Sequence, residues 1–385
     1  MISGELHPNK LQKLETTGLL KCAKYYCYVS DIMNRIHSKI PEQEFDVSRV
    51  ARPTDIREEY FNGVNYKRAV MFLQSNGCEW ALKSANGCTM CGHLARQTRN
   101  EETISSEDYI NQFTSEFNKI DFEKYPLFNL YNNGSFFNDN EIPPDARRVM
   151  LEKVSSDPHI KMLVLETRPE FVTQEKMDEV ADILKDKHVE IAIGLEAVDD
   201  SVRYACLNKG FSLKCYDEAA NIIIKKLHLR TYVMLKPPFL SERESISQAV
   251  RTVKHAFMAG STTVSLEACT IQEYTLIQHL SDRELYKTAW LWSIIEVVKK
   301  AQGLGKFIVG MFQFYPSPSQ VPYNCDRCSN KVMKALKKYN RTLDINVFEK
   351  LTCECRDEWK REVEKKDIPF KERLNDIKKE LKLLE

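Results

Sequence analysis

Residues 69–93 read AVMFLQSNGCEWALKSANGCTMCGH. The run 69–74 is short, largely apolar and ends in Ser75-Asn76-Gly77, the pattern of a buried strand entering a turn. The turn delivers Cys78, and Cys88 and Cys91 follow in the spacing Cys-x9-Cys-x2-Cys. Outward from this stretch, apolar runs recur at 127–131, 162–165, 189–195, 231–235 and 263–266. Segments of helical spacing separate them, such as SSEDYINQFTSEFNKI at 105–120 and RESISQAVRTVKHAFMAG at 243–260. Near-continuous apolar strands alternating with amphipathic helices make βα units around a parallel sheet. The expected fold class is therefore α/β, a partial (β/α)6 barrel, with a further run at 307–311 as an edge strand. Residues 1–60 read as helical and charged, with a helix at 17–38. The Pro-rich stretch 315–322 marks a boundary before a small Cys-rich segment and a C-terminal helix. The expected divisions are 1–66, 67–314 and 315–385.

In βα barrels the active site lies at the C-terminal ends of the strands. Here those ends read Ser75-Asn76-Gly77-Cys78, Asn132-Asn133-Gly134-Ser135, Glu166-Thr167-Arg168-Pro169-Glu170, Gly194-Leu195-Glu196, Lys236-Pro237-Pro238 and Glu267-Ala268-Cys269. Any one could be a strand-end cap or an ion pair. Six polar ends in register argue for one shared site.

The protein has 385 residues, 43% hydrophobic and 29% charged, which excludes a disordered polymer or a fibre. Lys+Arg number 56 against 55 Asp+Glu, so nucleic-acid binding would need a local basic patch. No apolar run reaches about 18 residues, so no membrane span is expected. The polar start MISGELHPNKLQKLE is not a secretory signal. A cytoplasmic protein is expected, whose twelve cysteines are not a disulfide framework. Cys206, Cys215 and Cys269 read as core residues, and Cys22 and Cys27 as structural.

Three thiolates at Cys78, Cys88 and Cys91 suit three irons of a four-iron cluster, leaving one iron open. With His93 as a fourth ligand, zinc is the alternative. Cys325-x2-Cys328 and Cys353-x-Cys355 form two close pairs, the pattern of a closed zinc site. A second iron–sulfur cluster or unliganded thiols are the alternatives there. From Cys325 to Arg341 there are six Lys/Arg, among them Lys331, Lys334, Lys337 and Lys338, and one acid, Asp326, a local net charge of +5. A cationic helix beside a metal site attracts RNA phosphates, although a solvated helix face has the same composition.

The cysteine loop after the first strand resembles that of the radical-SAM superfamily, in which three cysteines hold a [4Fe–4S] cluster and S-adenosylmethionine chelates the open iron. The usual spacing is Cys-x3-Cys-x2-Cys, so the first interval here is longer, and Met90 stands where an aromatic residue is common. The resemblance implies cofactor-binding roles for Asn133, Gly134, Ser135, Glu166, Arg168 and Glu196. The stretches NGCEWALKSANGCTMCGH, LYNNGSFFNDNEIP, LETRPEFVT, IGLEAVDDSVR, LNKGFS, VMLKPPFLSE and VSLEACTIQE together resemble the radical-SAM archaeosine synthase family, a relative of elongator-type radical-SAM tRNA enzymes.

That resemblance implies a tRNA substrate carrying a lysine adduct of 7-cyano-7-deazaguanine in its D-loop, made by a partner lysine transferase. It implies a carbon–nitrogen lyase driven by an external electron donor. Breaking the carbon–nitrogen bond of the lysine moiety would leave the amidine nitrogen on the base, giving archaeosine. Lys236, Glu267 and Arg203 are candidates for holding the amino acid head group. An acetyltransferase domain, expected of elongator-type enzymes, is not expected before Glu385. The alternatives are another radical-SAM tRNA enzyme, elongator-like or a methylthiolase, and a non-catalytic zinc-bearing tRNA-binding protein.

Overall fold

The computed structural model describes residues 20–84, 86–97, 104–366, 368–370, 372 and 373. The side chains of Cys22 and Cys27 lie outside the described set, as does residue 17, the expected helix start. Eight strands form one sheet in sequence order: β1 (Arg52–Phe61), β2 (Val64–Phe72), β3 (Leu127–Tyr131), β4 (Met162–Thr167), β5 (His188–Glu196), β6 (His228–Leu235), β7 (Ser261–Ala268) and β8 (Lys306–Val309). β1 runs antiparallel to β2, and β2 through β8 are all parallel. The sheet is curled into a half-barrel. The seven apolar runs are the seven parallel strands, β8 being the expected edge strand.

The helices are α1 (Leu20–His37), α2 (Ser106–Phe117), α3 (Pro144–Ser156), α4 (Gln174–Ile183), α5 (Asp200–Ala205), α6 (Leu213–Ile223), α7 (Glu242–Met258), α8 (Leu276–Ser281), α9 (Leu291–Lys300), α10 (Ser329–Thr342) and α11 (Cys355–Glu364). Ser105 and Ser241 cap α2 and α7 with capping boxes closed by Asp108 and Glu244. No helix among the described residues is long and apolar enough to cross a membrane.

Strand periodicity decides what faces the barrel interior. Outward residues such as Met71, Leu73, Leu163, Leu165, Ile191 and Ile193 pack under α2, α3, α4 and α6 in the main core. Inward residues on β2 and β3 are mostly apolar, Arg68 and Asn129 excepted; Val70, Phe72 and Tyr131 gather with Met162 and Val164 of β4. On β5 to β7 the inward positions turn polar: Glu190, Glu196, Arg230, Tyr232, Ser265 and Glu267. A bulge between Gly194 and Glu196, with Glu196 at φ 62°, keeps both residues facing the same space.

The reading of residues 1–60 as helical is corrected over 52–61, which form β1. This edge strand carries Asp55, Glu58 and Glu59 and meets Lys67 and Arg68 across the hairpin, so its charge hides its β character. Asn62 and Gly63 both take positive φ (48° and 81°), the Asn-Gly hairpin turn that joins β1 to β2. That dipeptide is the sequence signal for the hairpin.

Candidate active site and metal centre

A cavity of about 390 Å³ opens at the C-terminal ends of the parallel strands. Cys78, Cys88 and Cys91 line it together with Asn133, Gly134, Glu166, Arg168, Glu196 and Glu267. Residues far apart in sequence therefore share one space, as the register of strand ends requires.

The cysteine loop is built before any metal is added. After Cys78 the backbone makes one turn of π-helix, Trp80–Ser84. The Trp80 indole N–H donates to the Asn208 carbonyl (2.7 Å), and the Asn208 amide donates to the Gly87 carbonyl (2.6 Å). Thr89 donates its hydroxyl proton to the Cys206 carbonyl (2.7 Å), and the Gly92 N–H donates to Gln272 (2.9 Å). The loop between Cys78 and Cys88 is thus tied to the turn after α5, whose residues LNKGF supply the anchoring groups. Burial pushes all three thiols up, Cys91 to about 12, while Lys209 and Arg168 pull Cys88 back down. Neutral thiols buried this way are poor hydrogen-bond donors and good prospective ligands, because a metal's charge restores the thiolate.

The rim residues divide by what holds them. The Arg168 guanidinium lies over the Trp80 ring (4.5 Å to its centroid), pairs with Glu170 (2.6 Å) and donates to the Lys209 carbonyl (2.7 Å). Glu196 pairs with Lys209 (2.7 Å). Glu166 accepts from the Tyr232 hydroxyl (2.9 Å); burial raises its pKa to about 7, against that hydrogen bond and with help from Glu267. Burial also raises Glu267, which accepts from Ser265 (2.6 Å). Ser135 is fully buried behind the rim and its hydroxyl accepts from the Arg168 N–H (3.2 Å).

Two expected substrate residues point elsewhere. Lys236 reaches Glu242 at the start of α7 (2.7 Å). Arg203 has no exposed surface; it donates to the carbonyls of Ala197 and Phe211 and pairs with Asp200. Neither lines the cavity. Both are consumed by local pairs that a strand-end position does not reveal.

Glu141 does not stand out in the sequence, yet it organises the β3 end. Its two oxygens accept from the N–H of Glu79 (3.0 Å) and of Ser135 (2.5 Å) and from the amides of Asn132 and Asn138 (3.1 Å each). Glu79 follows Cys78, so one carboxylate joins the cysteine loop to the NNGS turn. Gly134 permits this, because a Cβ there would lie 2.0 Å from a Glu141 oxygen. Lys209 and Tyr232 are equally silent in the sequence. Only the NGSFFNDNE and LNKGF stretches carry a trace of these roles.

No family model matches the protein. Among individual proteins, archaeosine synthase subunit beta of Methanosarcina acetivorans is 34% identical over 313 residues, covering 80% of this sequence and 88% of the relative. The subunit of the same name from Thermococcus kodakarensis is 32% identical over 300 residues, covering 76% and 91%. The protein belongs to the archaeosine synthase subunit beta family. It is accordingly a radical-SAM enzyme, as the cysteine loop after the first parallel strand implied. Among solved structures, the archaeal Elp3 of Methanocaldococcus infernus aligns at a TM-score of 0.43 with 14% identity, over 60% of this protein and 59% of that one, a distant likeness.

This archaeosine synthase family member has a second cysteine site, beyond β8. The Sγ atoms of Cys325, Cys328, Cys353 and Cys355 all lie within 4.8 Å of one another. Cys325 is 3.6 Å from Cys328 and 3.5 Å from Cys353, and Cys328 is 3.6 Å from Cys355. A tetrahedron with metal–sulfur bonds of about 2.3 Å has edges of about 3.8 Å, so these sulfurs form a metal-binding site. Two N–H groups point at sulfur, from Trp292 to Cys355 (3.4 Å) and from Asn324 to Cys328 (3.6 Å). Such donors stabilise thiolate charge. α10 starts at the metal site with Cys328 as its N-cap. It buries Val332, Leu336 and Tyr339 and exposes Lys331, Lys334, Lys337 and Lys338 on the opposite side.

Proposed function

We propose that the protein is the carbon–nitrogen lyase of archaeosine formation, acting on the lysine-adducted 7-deazaguanine of a tRNA. The carrying observation is that Cys78, Cys88 and Cys91 face one cavity lined by the polar ends of the other strands. Three half-buried thiols on one loop, facing an open cavity, fit a [4Fe–4S] cluster with one open iron better than a closed zinc site. S-adenosylmethionine at that iron supplies a one-electron route to hydrogen abstraction from carbon, given an external electron donor.

The protein's own groups have separable tasks. The backbone at Asn133 and Gly134, braced by Glu141 and Ser135, offers acceptors to the cofactor ammonium. Arg168 offers charge to its carboxylate, and Glu196 an acceptor to ribose hydroxyls. Glu166 and Glu267 occupy the remaining depth, where substrate must reach. Arg203 and Lys236 take no part in this assignment. The C-terminal thiols hold zinc, which needs no open position there and fixes α10. The lysines of α10 attract tRNA phosphates, whose D-loop carries the adduct delivered by a partner lysine transferase in the cytoplasm.

The test is anaerobic. Reconstituted protein is given reductant and S-adenosylmethionine, and 5′-deoxyadenosine is measured with and without adduct-bearing tRNA. Stimulation with appearance of archaeosine is expected. Cleavage that ignores this tRNA would point to another substrate, and no cleavage by iron-loaded protein would sink the reading. Cys88→Ala should lose the iron absorbance and keep the zinc.

A further inference from the structure

The cavity has two chemically different halves. One holds the three thiols with Arg168, Lys209 and Glu196. The other brings together residues of β1, of the inner faces of β6 and β7, and of the 310–315 segment leaving β8, whose continuation at Pro316 also touches the cysteine loop through Gln272. In this second half Glu166 and Glu267 each accept one hydrogen bond and make no ion pair among the described residues. The nearby guanidinium groups are taken: Arg230 by Glu59 and Glu190, Arg68 by Glu59, and Arg57 by Asp55 and the Gln313 carbonyl. Gly310 lies against the second oxygen of Glu267, where a Cβ would come within 1.9 Å. Only glycine leaves that oxygen unobstructed.

The same cavity has an aromatic side, and the Arg52 and Arg57 guanidinium groups lie over its Phe72 ring (5.2 and 5.9 Å to the centroid). The Phe72 ring lies 5.5 Å from Tyr131 and 6.3 Å from Tyr315, centroid to centroid, and Met311 and Phe314 continue the wall. The wall is held in place. The Tyr315 hydroxyl donates to the Ala51 carbonyl (3.2 Å), and Gln272 joins the Pro316 carbonyl (3.1 Å) to the cysteine loop at Gly92 (2.9 Å). Asn340 of α10 lines the same half and grips Val309 of β8 by two hydrogen bonds (2.9 and 2.7 Å). The lysine-bearing helix therefore abuts the cavity where β8 ends.

We propose that this half is the subsite for the modified base, taken as a planar heterocycle with a cationic amidine-type group. The ring lies along the Phe72–Tyr315 wall and the positive charge meets Glu166 and Glu267. Two neighbouring carboxylates in a desolvated site are costly until a cation joins them, whereas a neutral nitrile relieves nothing. The site therefore selects an amidine-bearing base over its uncharged precursor, and aromatic surface suits a base turned out of its stack. This inference rests on the tRNA reading above.

The test uses cluster-loaded protein with S-adenosylmethionine and two nucleoside probes, archaeosine (a cationic amidine) and 7-cyano-7-deazaguanosine (neutral). Equilibrium dialysis should show wild type preferring the cation about tenfold or more. Glu267→Gln should erase that preference, Gly310→Ala should weaken it by displacing the carboxylate, and Tyr315→Leu should weaken both probes alike. Cofactor affinity should stay unchanged in each variant. No preference in wild type, or a preference that survives Glu267→Gln, overturns the proposal. Adduct-bearing tRNA separates the two levels. Turnover by wild type with unaltered KM in Glu267→Gln sinks the subsite alone, and no turnover of that tRNA by wild type sinks the reading beneath it.

Discussion

Glu166 shows how a barrel interior sets a carboxylate against itself. Burial and the neighbouring Glu267 raise its pKa to about 7, while the Tyr232 hydroxyl and the charges of Arg230 and Arg57 oppose the rise. Its folded pKa lies above the unfolded value, so the stabilising protonated state is fully available below about 4.5 and is lost as pH rises through 7. Glu166→Gln should therefore raise the Tm of the ligand-free protein at pH 8 and change it little at pH 5. A gain of equal size at both pH values would mean the carboxylate is not strained by burial. Gly210 is a second single-residue constraint. It sits at φ 73°, and a Cβ would fall 1.8 Å from the Trp80 ring. Gly303 has φ 80° but open space around it. Gly303→Ala should cost only backbone strain, about 1 kcal/mol. Gly210→Ala should cost more, alter tryptophan fluorescence and reduce iron retention, since Trp80 lies two residues after Cys78. Equal losses in the two variants would remove Trp80 from the support of the loop.

At the scale of elements, legibility followed burial pattern. The seven parallel strands were readable because their outward residues are apolar and unbroken. β1 was not, because its charges face an interior ion network and solvent instead of a core. The three-cysteine loop was readable from spacing and from its place after a strand. Glu141, Lys209 and the 310–315 wall were not, because each acts through a partner distant in sequence: Glu79, Glu196, and Phe72 with Ala51. Arg203 and Lys236 looked free for the opposite reason, their partners Asp200 and Glu242 being ordinary helix-start acids. The polar face of α10 carries an expectation of its own. Replacing Lys331, Lys334, Lys337 and Lys338 by Gln together should weaken tRNA binding across sequences and flatten its dependence on log salt by up to about 3. Filter binding between about 50 and 200 mM salt measures this, and 5′-deoxyadenosine formation without tRNA should be unaffected. An unchanged salt slope would leave these lysines a solvated face.

Over the whole molecule, the question is how an open sheet keeps its shape. β1 and β8 are the two edges and share no ladder among the described residues. Charge spans the gap instead. Glu59 of β1 takes Lys306 of β8 (3.0 Å) and Arg230 of β6 (2.5 Å), and Arg230 continues to Glu190 of β5. Arg68 also pairs with Glu59, and Arg341 of α10 reaches Glu58 (2.6 Å). The side chains of Glu59, Glu190 and Arg230 are each 2% exposed, so removing the central cation leaves Glu190 without its arginine partner, while Glu59 keeps Arg68 and Lys306. Despite burial, Arg230 and its neighbours hold Glu59 down to about 2 and Glu190 lower than its ordinary value. Their depressed pKa values contribute stability above about pH 4.5 that is lost as pH falls toward 2. Arg230→Met should cost about 3–5 kcal/mol at pH 7, as expected for breaking a buried pair on one side. In the variant Glu190 is buried without its arginine partner, so the deficit should shrink from pH 7 to pH 5 as that carboxylate binds a proton. Wild type gains nothing over that interval from these groups. Thermal unfolding of both proteins at the two pH values checks this, and a deficit independent of pH would mean that Arg230 closes the half-barrel by packing alone.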